Sequence, residues 1–467
     1  MSGTGGGPGL RESLDKRRMV GVQYATISLC VALNMMDGFD VLVMAFSATA
    51  ITNEWGLSAS ELGILLSTAL IGMAIGSIFV SSLADVIGRK KVVMLCVATI
   101  TVGMTLATFA PGFEVMLVAR LITGLAVGTL QACLNVIASE FSSAKARSFV
   151  LSIYTMGQPL GGTLGGIVSG ILIANFGWRA AFAFGAVVTL ILLPLVARFM
   201  PESLDYLLTK RGPGALEKVN GILRRLRVDA VSELPPVPGS GGPGVVAGAG
   251  AGSGTGSGGR WREVFSQGNL RTVVLLSVGF FTLMGSFYFA NSWTPRLVGT
   301  AEGFTPADGI SAGIAFSIGG IAGTLLFGAC AHKFGPFVAL IAAFLLSAAA
   351  FSIFPPSLGA VGSALLIAGV MGLFTSAATA GMFTVGPISF APRIRSTAVG
   401  LIIGMGRVGA IVSPIVAGVL IDARFVPGSL YYLFVPALII GGIAIAIVRF
   451  LRTRDAANVK RVESMSK

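Results

Sequence analysis

Charged side chains are scarce in this chain of 467 residues: only 11% are Asp, Glu, Lys or Arg, whereas 54% are hydrophobic. Because a soluble domain carries about 25% charged residues, the composition excludes an ordinary soluble enzyme. Histidine occurs only at His332, which excludes a metal site built from several histidines. The four cysteines form no CxxC pair, so neither a zinc ribbon nor a disulfide scaffold is indicated. No GxxxxGK[ST] phosphate loop occurs, and we therefore expect no cofactor and no ATP hydrolysis.

Long apolar segments are what the sequence has in abundance, and its mean hydropathy is +0.86. A membrane-spanning helix needs about 20 consecutive, mostly apolar residues. Twelve segments of the chain meet this requirement, and they predict an all-α membrane protein with twelve transmembrane helices. The predicted helices are 21–49, 59–80, 92–110, 114–137, 148–173, 178–199, 272–292, 310–331, 337–354, 359–385, 397–420 and 429–450.

The distribution of positive charge predicts how the chain is oriented in the bilayer. With the N-terminus placed in the cytoplasm, nearly all of the 33 Lys and Arg residues fall in cytoplasmic segments. Cytoplasmic loops of membrane proteins carry such an excess, so we expect a multi-pass protein of the bacterial inner membrane with both termini inside. The same distribution accounts for the net charge of +13 without nucleic acid as a partner. The exceptions are Arg179, Arg296 and Arg424 in predicted outer loops, and Arg120 and Arg407 within predicted helices.

The two halves of the chain repeat each other. SSLADVIGRK at 81–90 corresponds to GACAHKFGPF at 328–337, an offset of 247 residues, and 145–158 parallels 393–407 at nearly the same offset. A constant offset near half the chain predicts two pseudo-symmetric six-helix bundles related by duplication. The predicted organisation is a cytoplasmic tail 1–20, a bundle 21–200, a cytoplasmic linker 201–271 with a Gly-rich tract at 239–259, a second bundle 272–450 and a cytoplasmic tail 451–467.

The loop after the second predicted helix resembles a family motif. It reads Ser81-x-x-x-Asp85-Val86-x-Gly88-Arg89-Lys90, which is similar to the G-x-x-x-D-[RK]-x-G-R-[RK] motif of the major facilitator superfamily but departs from it at Ser81 and Val86. Arg120-x-x-x-Gly124-x-x-x-Gly128 in the fourth helix is also similar to a motif of that superfamily. The resemblance covers nearly the whole chain outside 1–18, 205–265 and the tail, and it implies the major facilitator fold.

A narrower resemblance is carried by Asp37-Gly38-Phe39-Asp40 in the first helix. An Asp-Gly-x-Asp sequence at this position is similar to a motif of the aromatic acid:proton symporter family. Further similar positions are Tyr288-Phe289 and Trp293-x-Pro295 at the end of the seventh helix, and Gly406-Arg407-x-Gly409 in the eleventh.

Asp37 and Asp40 are the candidates for proton coupling. Three residues apart, they project from one face of a helix. An ionised carboxylate at the bilayer centre costs at least ~2.5 kcal/mol, and repulsion between two close carboxylates favours protonation of one of them. Arg120 is predicted at a depth similar to that of Asp40, so an Asp40–Arg120 pair that breaks on protonation is one interpretation. A permanent structural bridge and direct contact of Arg120 with substrate are the alternatives.

Arg407 is the candidate for binding a substrate carboxylate. It lies about ten residues into its predicted helix, or ~15 Å at 1.5 Å per residue, which is near the membrane midplane, where transporters bind substrate. A guanidinium binds a carboxylate through two parallel hydrogen bonds. The other predicted substrate-binding residues are Gln158, Tyr154, Tyr288, Asn291, Phe39 and Trp293. For the aromatic residues among them, ordinary helix packing is the alternative.

The resemblance implies that charged residues at the cytoplasmic ends of the helices latch the two halves, with Asp85 bonding the start of the eleventh helix. For His332 a contact of this kind is favoured over a proton relay. The predicted gating residues are Asp85, Gly88, Arg89, Lys90, Glu140, Arg147, His332, Arg393 and Arg395.

Together these features predict a transporter rather than an enzyme. We expect a monomer that imports a small aromatic carboxylate of the benzoate or hydroxybenzoate type with protons, by alternating access across the lipid bilayer. A symporter of another organic acid, such as a shikimate-like metabolite, a proton-driven exporter and a non-transporting receptor remain alternatives.

Overall fold

The structure is a computed structural model of the chain, and it describes residues 19–143, 146–212, 214–234, 263–391 and 394–465. Within these ranges the chain forms helices connected by short turns, and no strand. The prediction of an all-α protein is therefore confirmed. The first 18 residues and the Gly-rich tract 239–259 lie outside the described residues.

Twelve of the helices are long and apolar enough to cross a membrane, and each corresponds to one predicted segment. They are numbered α1 to α12 in chain order. Their bounds are Gly21–Trp55, Ala59–Ile75 (continued by a π-helical turn, Gly76–Val80), Arg89–Thr108, Phe113–Glu140, Arg147–Phe176, Trp178–Phe199, Gln267–Gly299, Pro306–Phe334, Pro336–Ser357, Val361–Ile388, Arg395–Asp422 and Leu430–Met465.

Several helices run past their predicted ends, because the apolar run marks the part within the bilayer whereas the helix continues until a residue stops it. α1 extends to Trp55 and stops at Gly56, whose φ is +64°. α12 continues without interruption through most of the segment predicted as the C-terminal tail, 451–467. That segment is therefore helical to Met465 rather than a separate element.

The predicted internal repeat is visible in the backbone. Gly88, before α3, has a φ of +103°, and Gly335, before α9, has a φ of +86°. These two glycines are 247 residues apart, which is the offset found in the sequence. An L-residue with a side chain rarely adopts such angles, so both copies of the motif need glycine at the same turn.

Helix pairing repeats as well. Gly161 of α5 touches the backbone of Met35 in α1, and Gly409 of α11 touches the backbone of Phe281 in α7. Neither position has room for a side chain, so small residues let the paired backbones approach closely, as is usual between membrane helices. The same relation joins α2 with α4 and α8 with α10. Each pair recurs six helices later, as duplication of a six-helix unit predicts.

The chain divides into two compact units whose boundaries differ from the predicted bundles. The first unit comprises the described residues within Met1–Gly38, Ile71–Gly161 and Phe182–Ala251. The second comprises those within Phe39–Leu70, Gly162–Ala181 and Gly252–Lys467. Parts of α1, α2 and α5 therefore pack with helices of the second half of the chain. Bundles bounded at 200 and 272 stay a prediction.

Part of the predicted linker is folded. Two short helices, Leu204–Lys210 and Ala215–Arg225, lie in it. Ser203 caps the first of them by accepting a hydrogen bond from the backbone N–H of Tyr206. The second buries Val219 and Leu223 and exposes Arg224 on its other side. α7 begins at Gln267, five residues before the predicted start of the seventh helix at 272.

Candidate functional site

The two aspartates of α1 are buried in the part of the helix that crosses the membrane. Asp37 is 3% exposed and Asp40 is fully buried. Both make polar or electrostatic contacts with neighbouring residues. An isolated carboxylate at this depth costs free energy. Contacts with neighbouring residues, or protonation, lower that cost for the two acids.

Asp37 belongs to a polar cluster that joins α1, α4 and α5 within the first unit. Its Oδ2 accepts a hydrogen bond from the side-chain amide of Gln131 on α4. The Tyr154 hydroxyl on α5 donates to the backbone carbonyl of Gln131 at 3.4 Å, and the Asn34 amide donates to the backbone carbonyl of Tyr154 at 2.6 Å. The cluster therefore fixes the direction of the Asp37 carboxylate.

Gln131 is a site residue that sequence reasoning missed. It follows Arg120 by eleven residues, which is about three turns of helix, so the two side chains share a face of α4. An amide and a guanidinium aligned along one face of an apolar helix would have been a sufficient signal.

Arg120 is one of the largest fully enclosed side chains of the protein, with 2% of its surface exposed. It has bonding or electrostatic partners, as Asp40 does. Arg120 lies in the first unit and Asp40 in the second. The predicted Asp40–Arg120 pair stays a prediction.

Arg407 has the opposite surroundings. It lies in the middle of α11, in the second unit, and its side chain is half-buried. Among the residues that the structure describes, none accepts a hydrogen bond from its guanidinium or forms an ion pair with it. A cation at that depth without a counter-ion is costly, and an anion bound there would offset that cost.

Two of the predicted substrate-binding amides have no hydrogen-bond partner among the residues that the structure describes. Gln158 on α5 is half-buried, and Asn291 on α7 is 8% exposed. Within the described ranges neither side-chain amide forms a hydrogen bond. Both amides keep their full donor and acceptor capacity for a ligand.

The aromatic candidates are mostly engaged in packing. Tyr288 is half-buried and packs edge-to-face on Phe287, with ring centroids 5.3 Å apart. Phe39 packs against Gly165 and is 3% exposed. Trp293 is fully buried, and its indole N–H donates to the backbone carbonyl of Pro414 at 3.2 Å. Tyr154 uses its hydroxyl in the Asp37 cluster, so of these four rings only that of Tyr288 is more than slightly exposed.

The gating residues predicted in the loop before α3 are brought together in the first unit. Arg89 forms a salt bridge with Glu140 at the end of α4 and donates a hydrogen bond to Ser203 at 2.7 Å. The backbone N–H of Lys90 donates to Glu202 at 3.0 Å. Gly88 lies against the same Glu202 carboxylate, with no room for a side chain.

The other predicted gating residues are more dispersed. Asp85 and His332 are exposed, and neither side chain forms a hydrogen bond with a described residue. Arg395 donates to the carbonyl of Phe390 at 3.5 Å. Arg147, at the start of α5, is half-buried and has partners. Arg393 lies outside the described residues.

α2 and α11 close on each other in the second unit, at the ends that the charge distribution places outside. The Asp422 carboxylate accepts hydrogen bonds from the backbone N–H groups of Ala59 and Ser60, at 2.9 and 2.8 Å. These are first-turn donors of α2, where the helix dipole favours a negative charge. The Ser67 hydroxyl donates to the carbonyl of Ile411 at 2.8 Å, so the contact continues inward along both helices.

The described residues form twelve helices that are long and apolar enough to cross a membrane, and α1 and α4 carry buried charged side chains of the kind found in polytopic membrane transporters. The chain belongs to the Major Facilitator Superfamily, whose family model matches residues 27–387. It is a transporter rather than an enzyme, and it is a multi-pass protein of the inner membrane.

Curated relatives match almost the whole chain. The chain is 28% identical to a gallate transporter of Pseudomonas putida, over 88% of this chain and 89% of that protein. It is 29% identical to the 4-hydroxybenzoate transporter PcaK of Acinetobacter baylyi, over 95% of each. It is 26% identical to a 3-(3-hydroxy-phenyl)propionate transporter of Escherichia coli, over 92% of this chain and 94% of that protein. The resemblance to transporters of aromatic acids is confirmed.

Solved structures with the same fold include the xylose transporter XylE of E. coli, in a partially occluded inward-open conformation. It matches with a TM-score of 0.69 over 91% of this chain and 97% of that one, at 15% identity. This likeness confirms the major facilitator fold predicted from the sequence.

Proposed function

We propose that this chain imports an aromatic carboxylate with protons across the inner membrane, with both termini in the cytoplasm. The observation that carries the proposal is Arg407, a half-buried guanidinium in mid-membrane without a partner among the described residues. The relatives named for gallate, 4-hydroxybenzoate and 3-(3-hydroxyphenyl)propionate support an aromatic acid as the substrate.

Recognition of such a substrate needs two kinds of group. Arg407 binds the carboxylate through two parallel hydrogen bonds. The unbonded amides of Gln158 and Asn291 donate to or accept from ring hydroxyls, and Tyr288 offers a ring edge. Phe39 and Trp293 contact the ring only if a change of conformation exposes them, because both are buried here.

Asp37 and Asp40 bind the transported protons. Both acids are buried in a membrane-spanning helix, where an ionised carboxylate without a partner is costly. Gln131 orients the Asp37 carboxylate, and Arg120 couples the charge of the acids to movement of the helices. Import against a substrate gradient then uses the proton gradient.

Alternating access requires the closure of α2 on α11 to open. The contacts that hold it are hydrogen bonds to backbone atoms and close backbone packing, such as Gly63 against Pro414. Helices joined in this way can separate as rigid bodies. The salt bridge of Arg89 with Glu140 holds the cytoplasmic ends of its own unit in place.

Uptake into proteoliposomes tests the proposal. Purified protein is reconstituted with both pH and membrane potential controlled, and entry of labelled 4-hydroxybenzoate is followed with and without an inward proton gradient. We expect uptake that depends on the gradient, competition by benzoate and gallate, and little competition by shikimate. The proposal would be overturned if none of these aromatic acids were taken up in response to the proton gradient.

Asp40→Asn tests the proton site separately. The substitution keeps the size of the side chain but cannot release or bind a proton as a carboxylate does. We expect it to abolish accumulation driven by the proton gradient while leaving exchange of internal for external substrate. Undiminished gradient-driven uptake by Asp40→Asn would remove that residue from the coupling mechanism.

A further inference from the structure

A cavity of about 430 Å³ lies in the first unit, between the start of α3 and the segment that follows α6. One face of the helix Ala215–Arg225 forms part of its wall. The other lining residues are Ile87, Lys90, Lys91, Pro201, Glu202, Tyr206 and Leu207. All of these residues belong to the first unit, so the cavity is formed within one compact body.

The walls of the cavity are held in place by hydrogen bonds. The Tyr206 hydroxyl donates to the backbone carbonyl of Val86 at 3.2 Å. Glu202 accepts from the backbone N–H groups of Lys90 and Ser203, each at 3.0 Å. The segment that follows α6 is therefore fastened to the first turn of α3 and to the short helix Leu83–Ile87 before it.

One face of the second linker helix supplies cationic side chains. Lys218, Ile222 and Arg225 all line the cavity, and they follow one another at i, i+4 and i+7. Residues at these spacings project from the same side of a helix. The buried Ile222 anchors this face while Lys218 and Arg225 are exposed on either side of it.

Positive charge predominates around the cavity. Lys90, Lys91, Lys218 and Arg225 face a single acid, Glu202, whose Oε1 already accepts two backbone hydrogen bonds. The Lys90 ammonium donates to the carbonyl of Ala197 at 2.7 Å. The other three cationic side chains donate no hydrogen bond to any residue that the structure describes.

We propose that this cavity binds a phosphate group, carried either by an anionic phospholipid or by a soluble phosphate ester. Several convergent Lys and Arg donors suit a phosphate, which presents several acceptor oxygens around one charged centre. The apolar side chains of Ile87, Leu207 and Ile222 provide contact for the organic part of the ligand. The cavity lies at the end of the helices that the charge distribution places in the cytoplasm, where the leaflet is anionic and attracts basic segments.

Binding to the purified full-length protein in detergent tests this proposal independently of transport. The probes are dioctanoylphosphatidylglycerol, dioctanoylphosphatidylcholine and glycerol 3-phosphate, each titrated while bound ligand is counted by native mass spectrometry and by calorimetry. The test variant is Lys218→Gln with Arg225→Gln. The matched control is Lys210→Gln with Arg224→Gln, which removes the same charge from exposed positions of the two linker helices that do not line the cavity.

We expect at least one anionic probe to bind, with affinity about tenfold or more weaker for the test variant and changed less than about twofold for the control. Binding of phosphatidylglycerol without glycerol 3-phosphate identifies a lipid headgroup as the source of the phosphate. Saturable binding of glycerol 3-phosphate identifies a soluble ester. Equal weakening by test and control variants, equal affinity for the anionic and zwitterionic lipids, or no binding of either anionic probe would overturn the proposal.

Discussion

Two arginines within the membrane-spanning helices show opposite surroundings. Arg120 on α4 is 2% exposed and has partners among its neighbours, whereas Arg407 on α11 is half-buried and has none among the described residues. The sequence offers no such distinction, since each is a single arginine in an apolar helix followed by glycines. From this contrast we expect the folded protein to depend on Arg120 and Arg407 to be available to a ligand.

Two glutamines repeat the contrast. The side-chain amide of Gln131 donates a hydrogen bond to Asp37, and the Tyr154 hydroxyl donates one to the backbone carbonyl of Gln131. Gln158, on the neighbouring helix α5, leaves its amide unbonded within the described part of the chain. Substitution at the bonded residue of each pair should therefore cost stability, and substitution at the unbonded one should cost substrate recognition.

The largest effect is expected for Arg120→Met. Arg120 is buried and has bonding or electrostatic partners. If the predicted pairing with an acid holds, removing Arg120 leaves a buried charge without a partner, which costs about 3–5 kcal/mol. The variant should unfold at a much lower temperature than the parent in detergent, as measured by tryptophan fluorescence or loss of monodispersity. Arg407→Met is the matched control and should unfold within a few degrees of the parent. Equal melting of the two variants would contradict the distinction between the arginines.

Gln131→Leu should have the next largest effect. A hydrogen bond to a charged group contributes about 1.5–3 kcal/mol, and the Asp37 carboxylate loses this one. The expected result is a lower unfolding temperature, with a smaller decrease when Asp37→Asn is already present. A decrease of the same size in both backgrounds would show that the two side chains do not interact.

Arg407→Lys tests ligand binding by the unpartnered arginine. Lysine keeps the charge but cannot form two parallel hydrogen bonds with a carboxylate, so the apparent affinity for 4-hydroxybenzoate should fall about tenfold, or ~1.4 kcal/mol. The measurements are the apparent Km of uptake and the concentration of competitor that halves the uptake rate. Thermal unfolding should be unchanged. A changed melting temperature with an unchanged Km would show that Arg407 stabilises the fold and does not bind the substrate.

The twelve helices were predictable because their apolar length is a property of the sequence alone. The repeat was also predictable, since Gly88 and Gly335 mark the same turn in both halves. The fold around 204–210 was not, because its contacts are distant in sequence. Tyr206 donates a hydrogen bond to Val86, and Glu202, just before this helix, accepts one from Lys90, and each pair is more than a hundred residues apart.

The candidate site was predictable in its residue types but not in their bonding. Asp37, Arg120 and Arg407 stand out in any apolar helix as costly groups. Which of them is satisfied by a neighbour depends on helix contacts, as with Gln131 and Asp37, which are far apart in the chain. Trp293 shows the same limit, since its full burial follows from the packing of α7 on α11 and not from its own sequence surroundings.

Gln158→Leu is expected to have the smallest effect. It tests whether the side-chain amide of Gln158 recognises the hydroxyl group on the ring of the substrate. A lost hydrogen bond between neutral groups is worth about 0.5–1.5 kcal/mol. The ratio of uptake efficiency (kcat/Km) for 4-hydroxybenzoate over benzoate should therefore fall about two- to tenfold, with little change for benzoate itself. Because the Gln158 amide bonds to no described residue, thermal unfolding should not change, in contrast to Gln131→Leu. An equal loss for both acids would place Gln158 outside the part of the site that recognises the hydroxyl group.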